Sequence, residues 1–260
     1  SNSLRDEMFE NWRSEFGYDI HVKPYDIVAM LRESVASKSE YGDLLYHFFE
    51  TLRAQPIRYP NVEADLIRLL ALLSHGGVYL DLDAIVLRPL HGLSNVAAWE
   101  GDVPDSLVSS SQCAQESGTA CTIGNAVLIF DSGNAFLESC LVRWLRKYTD
   151  TGGRLNWEYA GAVLTDTFWE NKFEKSTLRV LSRKSFYFYG QFGWGRFFNR
   201  QPDERSQYAR LLRESHVAHF WNHVHTHHLP ERGSLMFHVL NDFRLQLGDP
   251  QSGGEEYDLV

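Results

Sequence analysis

Two carboxylates one residue apart, Asp81 and Asp83, interrupt the hydrophobic run from Gly76 to Leu90, GGVYLDLDAIVLRPL. Read as strand, period-two alternation predicts both side chains on one face and Leu82 on the other. Like charges this close repel, and a strand interior tolerates them only when something positive lies between them or the strand ends at solvent. Paired oxygens at a strand end suit a hard divalent cation, Mn²⁺ or Mg²⁺, which takes oxygen ligands and keeps positions for substrate phosphates. A solvated pair, or pairing with an Arg such as Arg88, is the competing reading, because Asp-x-Asp alone is a weak motif.

The elements that would carry these residues follow from periodicity. Asn61 to His75, NVEADLIRLLALLSH, is an amphipathic helix predicted to start at an Asn61 cap and to stop at Gly76-Gly77, so the acidic strand begins where that helix ends. Asp65 and Arg68 are three apart on it and share a face; Arg68 falls outside the apolar set Leu66, Ile67, Leu69 and Leu70. A surface ion pair between i and i+3 is the plain alternative for such a pair. Upstream, Leu4, Met8, Trp12 and Phe16 recur at helical spacing, DIHVKPYD alternates as a short strand, and YDIVAMLRESVA and EYGDLLYHFFETLRA are amphipathic helices. Downstream, Asn125 to Phe130, Leu178 to Ser182 and His216 to Trp221 read as buried strands. Helices are predicted at Ala135 to Tyr148, Tyr159 to Glu170 and Asp203 to Glu214. Strands alternating with helices imply an α/β fold with a largely parallel sheet, whose ligands bind beyond the carboxyl ends of the strands.

Composition narrows the partners. Net charge is −9, from 25 basic and 34 acidic side chains, so neither a nucleic-acid backbone nor an anionic membrane surface is expected. No apolar run reaches the length of a membrane span, and no signal peptide opens the chain, which reads as soluble. A start at SNS without Met reads as an excised domain; 43% hydrophobic residues over 260 positions support one packed unit over 1–250, with an acidic, Gly-rich flexible tail over 251–260. Cys113, Cys121 and Cys140 lack metal spacing. Three free thiols is the expectation, with a Cys113–Cys121 bridge, implying a secretory lumen, as the alternative.

The order Asp65-x-x-Arg68, Gly76-Gly77-Val78-Tyr79, Asp81-Leu82-Asp83 and VLRPL resembles the sugar-donor region of glycosyltransferase family 32 and its relatives. A second block, SHVAHFWNHVHTH, is similar to the His-x-Trp-Asn segment of the α-1,4-galactosyltransferase and α-1,4-N-acetylglucosaminyltransferase branch, with His219, Trp221 and Asn222 matching. GNAVLIFDSGNAFLESCL, VLTDTF and SFYFY fall in the family's order between them, so the resemblance covers most of residues 18 to 245.

The resemblance implies a GT-A-type, Rossmann-like fold with a mostly parallel sheet flanked by helices, here without the family's first strand. It implies a metal-dependent, retaining hexosyltransferase that uses a UDP-sugar and a carbohydrate, glycolipid or protein acceptor. Asp83 would be the direct metal ligand, Asp81 would touch the metal or the ribose, and His219 would complete the site. Asp65 and Arg68 would hold sugar hydroxyls and the diphosphate side of the donor. Asn125 matches a position near the reaction centre, Tyr79 would direct its hydroxyl to the nucleotide, and Trp221 and Asn222 complete the donor-side set. Packing is the alternative for Trp221 and for the aromatic run Phe186 to Phe198, and solvation the alternative for His223, His225, His227 and His228. Glu158, Asp166 and Asp131 are candidate nucleophiles or bases by type alone. Ala160-Gly161-Ala162 replaces the branch's Gly-Pro, and Glu158 stands where the branch has His, which leaves sugar and acceptor open. The shared layout also resembles large bacterial glucosylating toxins, and a non-catalytic sugar- or nucleotide-binding module is the reading from another class. Golgi lumen, or secretion or delivery, would follow from the first or second of these sources.

Overall fold

The computed structural model describes residues 25–34, 39–101, 121–155, 159–170, 177–190, 193, 195–221 and 229–242. The first predicted helix, most of the DIHVKPYD segment, Cys113, Glu158, Asn222, His223, His225, His227, His228, and the tail lie outside them.

Among the described residues, three helices lead to the acidic motif: α1 (Ile27–Ser34), α2 (Gly42–Ala54) and α3 (Pro60–His75). Helix α3 starts one residue before the expected cap. Tyr59 is the N-cap and Pro60 takes the first helical position, where its missing N–H costs nothing and its fixed φ already suits the helix. It ends at Gly76, whose φ of 67° brings the chain round so closely that a Cβ would lie 2.6 Å from the Ser132 amide.

Strands β1 (Gly77–Leu80), β2 (Ala84–Val86) and β3 (Val96–Ala98) then follow with no helix between them. Next come β4 (Val127–Phe130), α4 (Ala135–Asp150), α5 (Tyr159–Glu170) and β5 (Arg179–Leu181). The short α6 (Gly195–Phe198), α7 (Glu204–Glu214), β6 (Val217–His219) and α8 (Leu235–Asp242) complete the described chain. Asn134 caps α4, its side chain accepting from the amides of Phe136 and Leu137.

The main sheet has the order β1-β4-β3-β5, and β2 pairs separately with β6. The fold is mixed α/β, as expected, but the sheet is only partly parallel. β3/β5 is the parallel pair, whereas β1/β4, β3/β4 and β2/β6 are antiparallel. The expectation of a mostly parallel sheet assumed a helix between successive strands. Three consecutive strands without one, β1 to β3, release the chain from that constraint. β5 is also only half-buried, not a core strand.

Alternation across the sheet divides the interior. Ala97, Leu128 and Phe130 face a cluster built from α1 to α5, with Phe48, Leu66, Leu70, Leu141, Trp144 and Tyr148. Val96, Ala98, Val127 and Ile129 face the other way, onto Phe186, Tyr187, Val217 and Trp221. A third cluster joins Ala218 and Phe220 to Phe197, Leu211, Leu235 and Val239. The packing reading of the aromatic run therefore holds for Phe186, Tyr187, Phe188, Phe197 and Phe198, all buried. Truncating a residue such as Leu70, fully buried in the first cluster, costs about 2–5 kcal/mol.

Candidate active site

Asp81 and Asp83 do not lie on one strand. β1 stops at Leu80, and residues 81–83 turn into β2, with the Ala84 amide donating back to the Asp81 carbonyl at 3.2 Å. Leu82 is fully exposed at the tip, and the two carboxylates flank it. The turn is pinned on both sides: the Asp81 amide donates to the Ala126 carbonyl at 2.8 Å, and the Phe220 amide donates to the Asp83 carbonyl at 3.0 Å.

The register of β2 on β6 sets Ala84 opposite His219, which brings the imidazole beside Asp83. His219 Nε2 lies 3.1 Å from Asp83 Oδ1, and the ring is buried. One donor atom each from Asp81, Asp83 and His219 lies within 4.8 Å of the others. Among the described residues this is the group of three or more such side chains that could hold a metal ion. Two hard oxygens and an imidazole nitrogen are a fitting donor set for a divalent cation.

Behind Asp81 sits Arg68, which is buried together with Asp65. The pair is therefore not the surface ion pair that spacing alone allowed, and Arg68 does not point away from the core. Its guanidinium makes several contacts at once. Nη2 is 3.1 Å from Asp65 Oδ1, Nη1 donates to the Asn125 carbonyl at 2.6 Å, and Nη1 is 3.5 Å from Asp81 Oδ1. The carbon Cζ lies 4.6 Å above the Tyr79 ring, a cation–π contact. Tyr79 donates its hydroxyl to Asp81 Oδ1 at 2.7 Å, and Asn125 Nδ2 reaches Asp65 Oδ1 at 3.5 Å. The planar fork of an arginine is what allows one side chain to serve three acceptors.

The positive partner of Asp81 is thus Arg68, and the His219 imidazole lies beside Asp83. Arg88 instead donates to the Ser215 carbonyl at 2.8 Å. Burial pushes the Asp65 carboxyl up to about 7, against the pull of Arg68 and with a smaller contribution from Asp81. Burial likewise raises the Tyr79 hydroxyl, with Arg68 opposing.

Of the residues singled out in the sequence, Asp65, Arg68, Tyr79, Asp81, Asp83, Asn125 and His219 come together. Trp221 is adjacent but engaged in packing. Its indole donates to the Tyr189 carbonyl at 2.9 Å and its ring meets the His219 ring edge-on. Asp166 pairs with Arg143 on the outside of α5, and exposed Asp131 accepts from Asn95 at 2.8 Å, so neither belongs to the group. Tyr187, against His219, carried no spacing signal of its own within its aromatic run.

Cys121 is disulfide-bonded and Cys140 is a buried free thiol, which corrects the expectation of three free thiols. Cys121 opens the stretch that leads through Gly124 to Asn125. No helix among the described residues is long and apolar enough to cross a membrane.

Two family descriptions match this chain. Residues 8–104 match the glycosyltransferase sugar-binding region containing the DXD motif, and residues 129–243 match the alpha 1,4-glycosyltransferase conserved region. The first span contains Asp65 to Asp83, and the second contains His219. Similar curated proteins include an uncharacterized protein of Arabidopsis thaliana, 28% identical over 74% of this chain and 29% of its own. Glucan organizing enzyme 1 of Cryptococcus neoformans var. grubii is 28% identical over 53% of this chain and 34% of its own. The chain spans about a third of the length of these relatives. No solved structure matches it. The two family matches point to a glycosyltransferase, an enzyme that takes a sugar donor and an acceptor.

Proposed function

We propose that this chain is a single metal-dependent, retaining hexosyltransferase domain of the family 32 type. It draws galactose, N-acetylglucosamine or glucose from a UDP-sugar and passes it to a glycan, glycolipid or protein. The observation that carries this reading is the convergence of Asp81, Asp83 and His219 within 4.8 Å at an exposed turn, backed by the buried Arg68.

A divalent cation held there, Mn²⁺ or Mg²⁺, would act as a Lewis acid on the diphosphate and stabilise the UDP that leaves. Asp83 supplies a donor from the turn before β2, His219 one from β6, which pairs with β2, and Asp81 supplies a third. Arg68 and the Tyr79 hydroxyl both grip Asp81 Oδ1, which fixes that carboxylate and leaves its second oxygen for the ion or the donor ribose. Asp65 and the Asn125 carbonyl hold Arg68 in turn. In this reading Arg68 acts through Asp81, and Asp65 and Asn125 line the donor side next to it.

The Cys121 disulfide suits an oxidising compartment such as a secretory lumen. A glycan acceptor agrees with the name of the fungal relative.

Incubation with a panel of UDP-hexoses and Mn²⁺ tests the reading. Slow release of UDP from one of them, abolished by a chelator, is expected. Binding of a UDP-sugar with no release from any, with Mn²⁺ or Mg²⁺, would mark a binding module and overturn the enzymatic reading.

A further inference from the structure

A histidine that binds a metal through one nitrogen is ordinarily fixed by a hydrogen bond from the other, which sets ring orientation and tautomer. His219 lacks that device. Nε2 faces Asp83, while Nδ1 is buried with no hydrogen-bond partner among the described residues. Something else must hold the ring, since a buried imidazole free to turn would present its nitrogen to Asp81 and Asp83 only part of the time.

Two aromatic rings meet it. Trp221 packs edge-on at 4.6 Å between centroids and 85° between planes, and Tyr187 does the same at 5.5 Å and 77°. They also contact each other at 5.6 Å. Both are anchored. The Trp221 indole donates to the Tyr189 carbonyl, and Tyr187 is fully buried in the cluster on that side of the sheet. Trp221 holds a positive φ of 56°, unfavourable for a bulky side chain, so its placement is imposed by its surroundings.

The Tyr187 ring has its place because residue 124 is glycine. A Cβ there would come within 2.3 Å of the Tyr187 hydroxyl and 2.4 Å of Cζ. Gly124 has no positive φ to explain it, so it is the missing side chain that matters. The Tyr187 hydroxyl itself makes no bond of normal geometry, although the amides of Ala126 and Val127 face it. The ring, and not the hydroxyl, is what the site uses.

We infer that Tyr187 and Trp221 together replace the missing hydrogen bond as the clamp on His219, with Tyr187 a positioning residue for the metal site and Gly124 the gap that admits its ring. This rests on the metal reading of Asp81, Asp83 and His219.

Titration of Mn²⁺ in the presence of UDP, with free Mn²⁺ followed by electron paramagnetic resonance, tests it without relying on turnover. Tyr187→Phe keeps the ring and should bind Mn²⁺ as the wild type does. Tyr187→Leu removes the ring, and Gly124→Ala displaces it. Each should weaken binding by about tenfold or more, the effect typical of losing a ligand's orienting partner. Folded Leu and Ala variants with wild-type Mn²⁺ affinity overturn the clamp while leaving the metal site standing. A wild type that binds no Mn²⁺ removes both. Independently of any variant, a crystal structure of the wild type with Mn²⁺ and UDP should show the imidazole bound while still edge-on to Tyr187 and Trp221. A ring turned out of that contact on binding contradicts the inference.

Discussion

The Asp83 carboxylate and the His219 imidazole, 136 positions apart, meet at 3.1 Å because Ala84 and His219 are register partners across β2 and β6. A one-residue slip in that pairing would turn His219 to the opposite face. His219→Gln retains a polar group facing Asp83 but loses the imidazole. It should fold, and its Mn²⁺ affinity with UDP should fall by about tenfold or more. Titration giving wild-type affinity would exclude His219 as a ligand.

Arg68→Ala removes the cation that serves Asp65, Asp81 and the Asn125 carbonyl together. Helical spacing suggests a surface position, and hence a variant of normal stability. The burial of both Arg68 and Asp65 predicts instead a loss of about 3–5 kcal/mol, because uncompensated charge stays inside. Arg68→Lys should recover part of this, since a single ammonium cannot make the fork of contacts. Urea denaturation measures both, and a loss under about 1 kcal/mol for the alanine variant would count against the buried network.

Stability without metal should depend on Asp65 and pH. With its carboxyl raised from the ordinary 3.8 to about 7, the folded chain binds this proton more tightly than the unfolded chain does. The contribution is therefore most favourable below the ordinary value, declines as pH rises from about 4 to about 7, and levels off above. Melting temperatures of wild type and Asp65→Asn across that window give the test. The wild type should lose ground to the Asn variant as pH increases. If Arg68 outweighs burial, the wild type gains ground instead.

Much of this site is legible in the sequence, because its parts lie on elements with clear periodicity. Helix α3 and its glycine stop place Asp65, Arg68 and Tyr79 in order, and the strand from Val217 to His219 follows from the short, mostly apolar run that reads as a buried strand. What sequence could not give is burial and direction. The run from Gly76 to Leu90 contains nothing that distinguishes one long strand from two short ones joined at Leu82, since the hydrophobic residues continue on both sides of the turn. Arg68 looks exposed because it interrupts an apolar face, yet its charge is absorbed by Asp65, by Asp81 just after β1 and by the Asn125 carbonyl just before β4. Tyr187 and Gly124 acquire meaning only when two remote segments pack, 63 positions apart.

The decisive measurement is the melting temperature of wild type and Asp83→Asn, each with and without Mn²⁺ and UDP. Ligand that binds only folded chain raises the melting temperature by mass action. The wild type should rise with Mn²⁺ and UDP together. Asp83→Asn keeps the side-chain shape but removes a charge and a hard-cation ligand, so without metal its stability should hold or increase slightly, while the Mn²⁺-dependent rise disappears. If Asp83→Asn is protected by Mn²⁺ and UDP as much as the wild type, or if it loses stability without metal and keeps its metal response, Asp83 is a structural residue and the acidic turn is not a metal site.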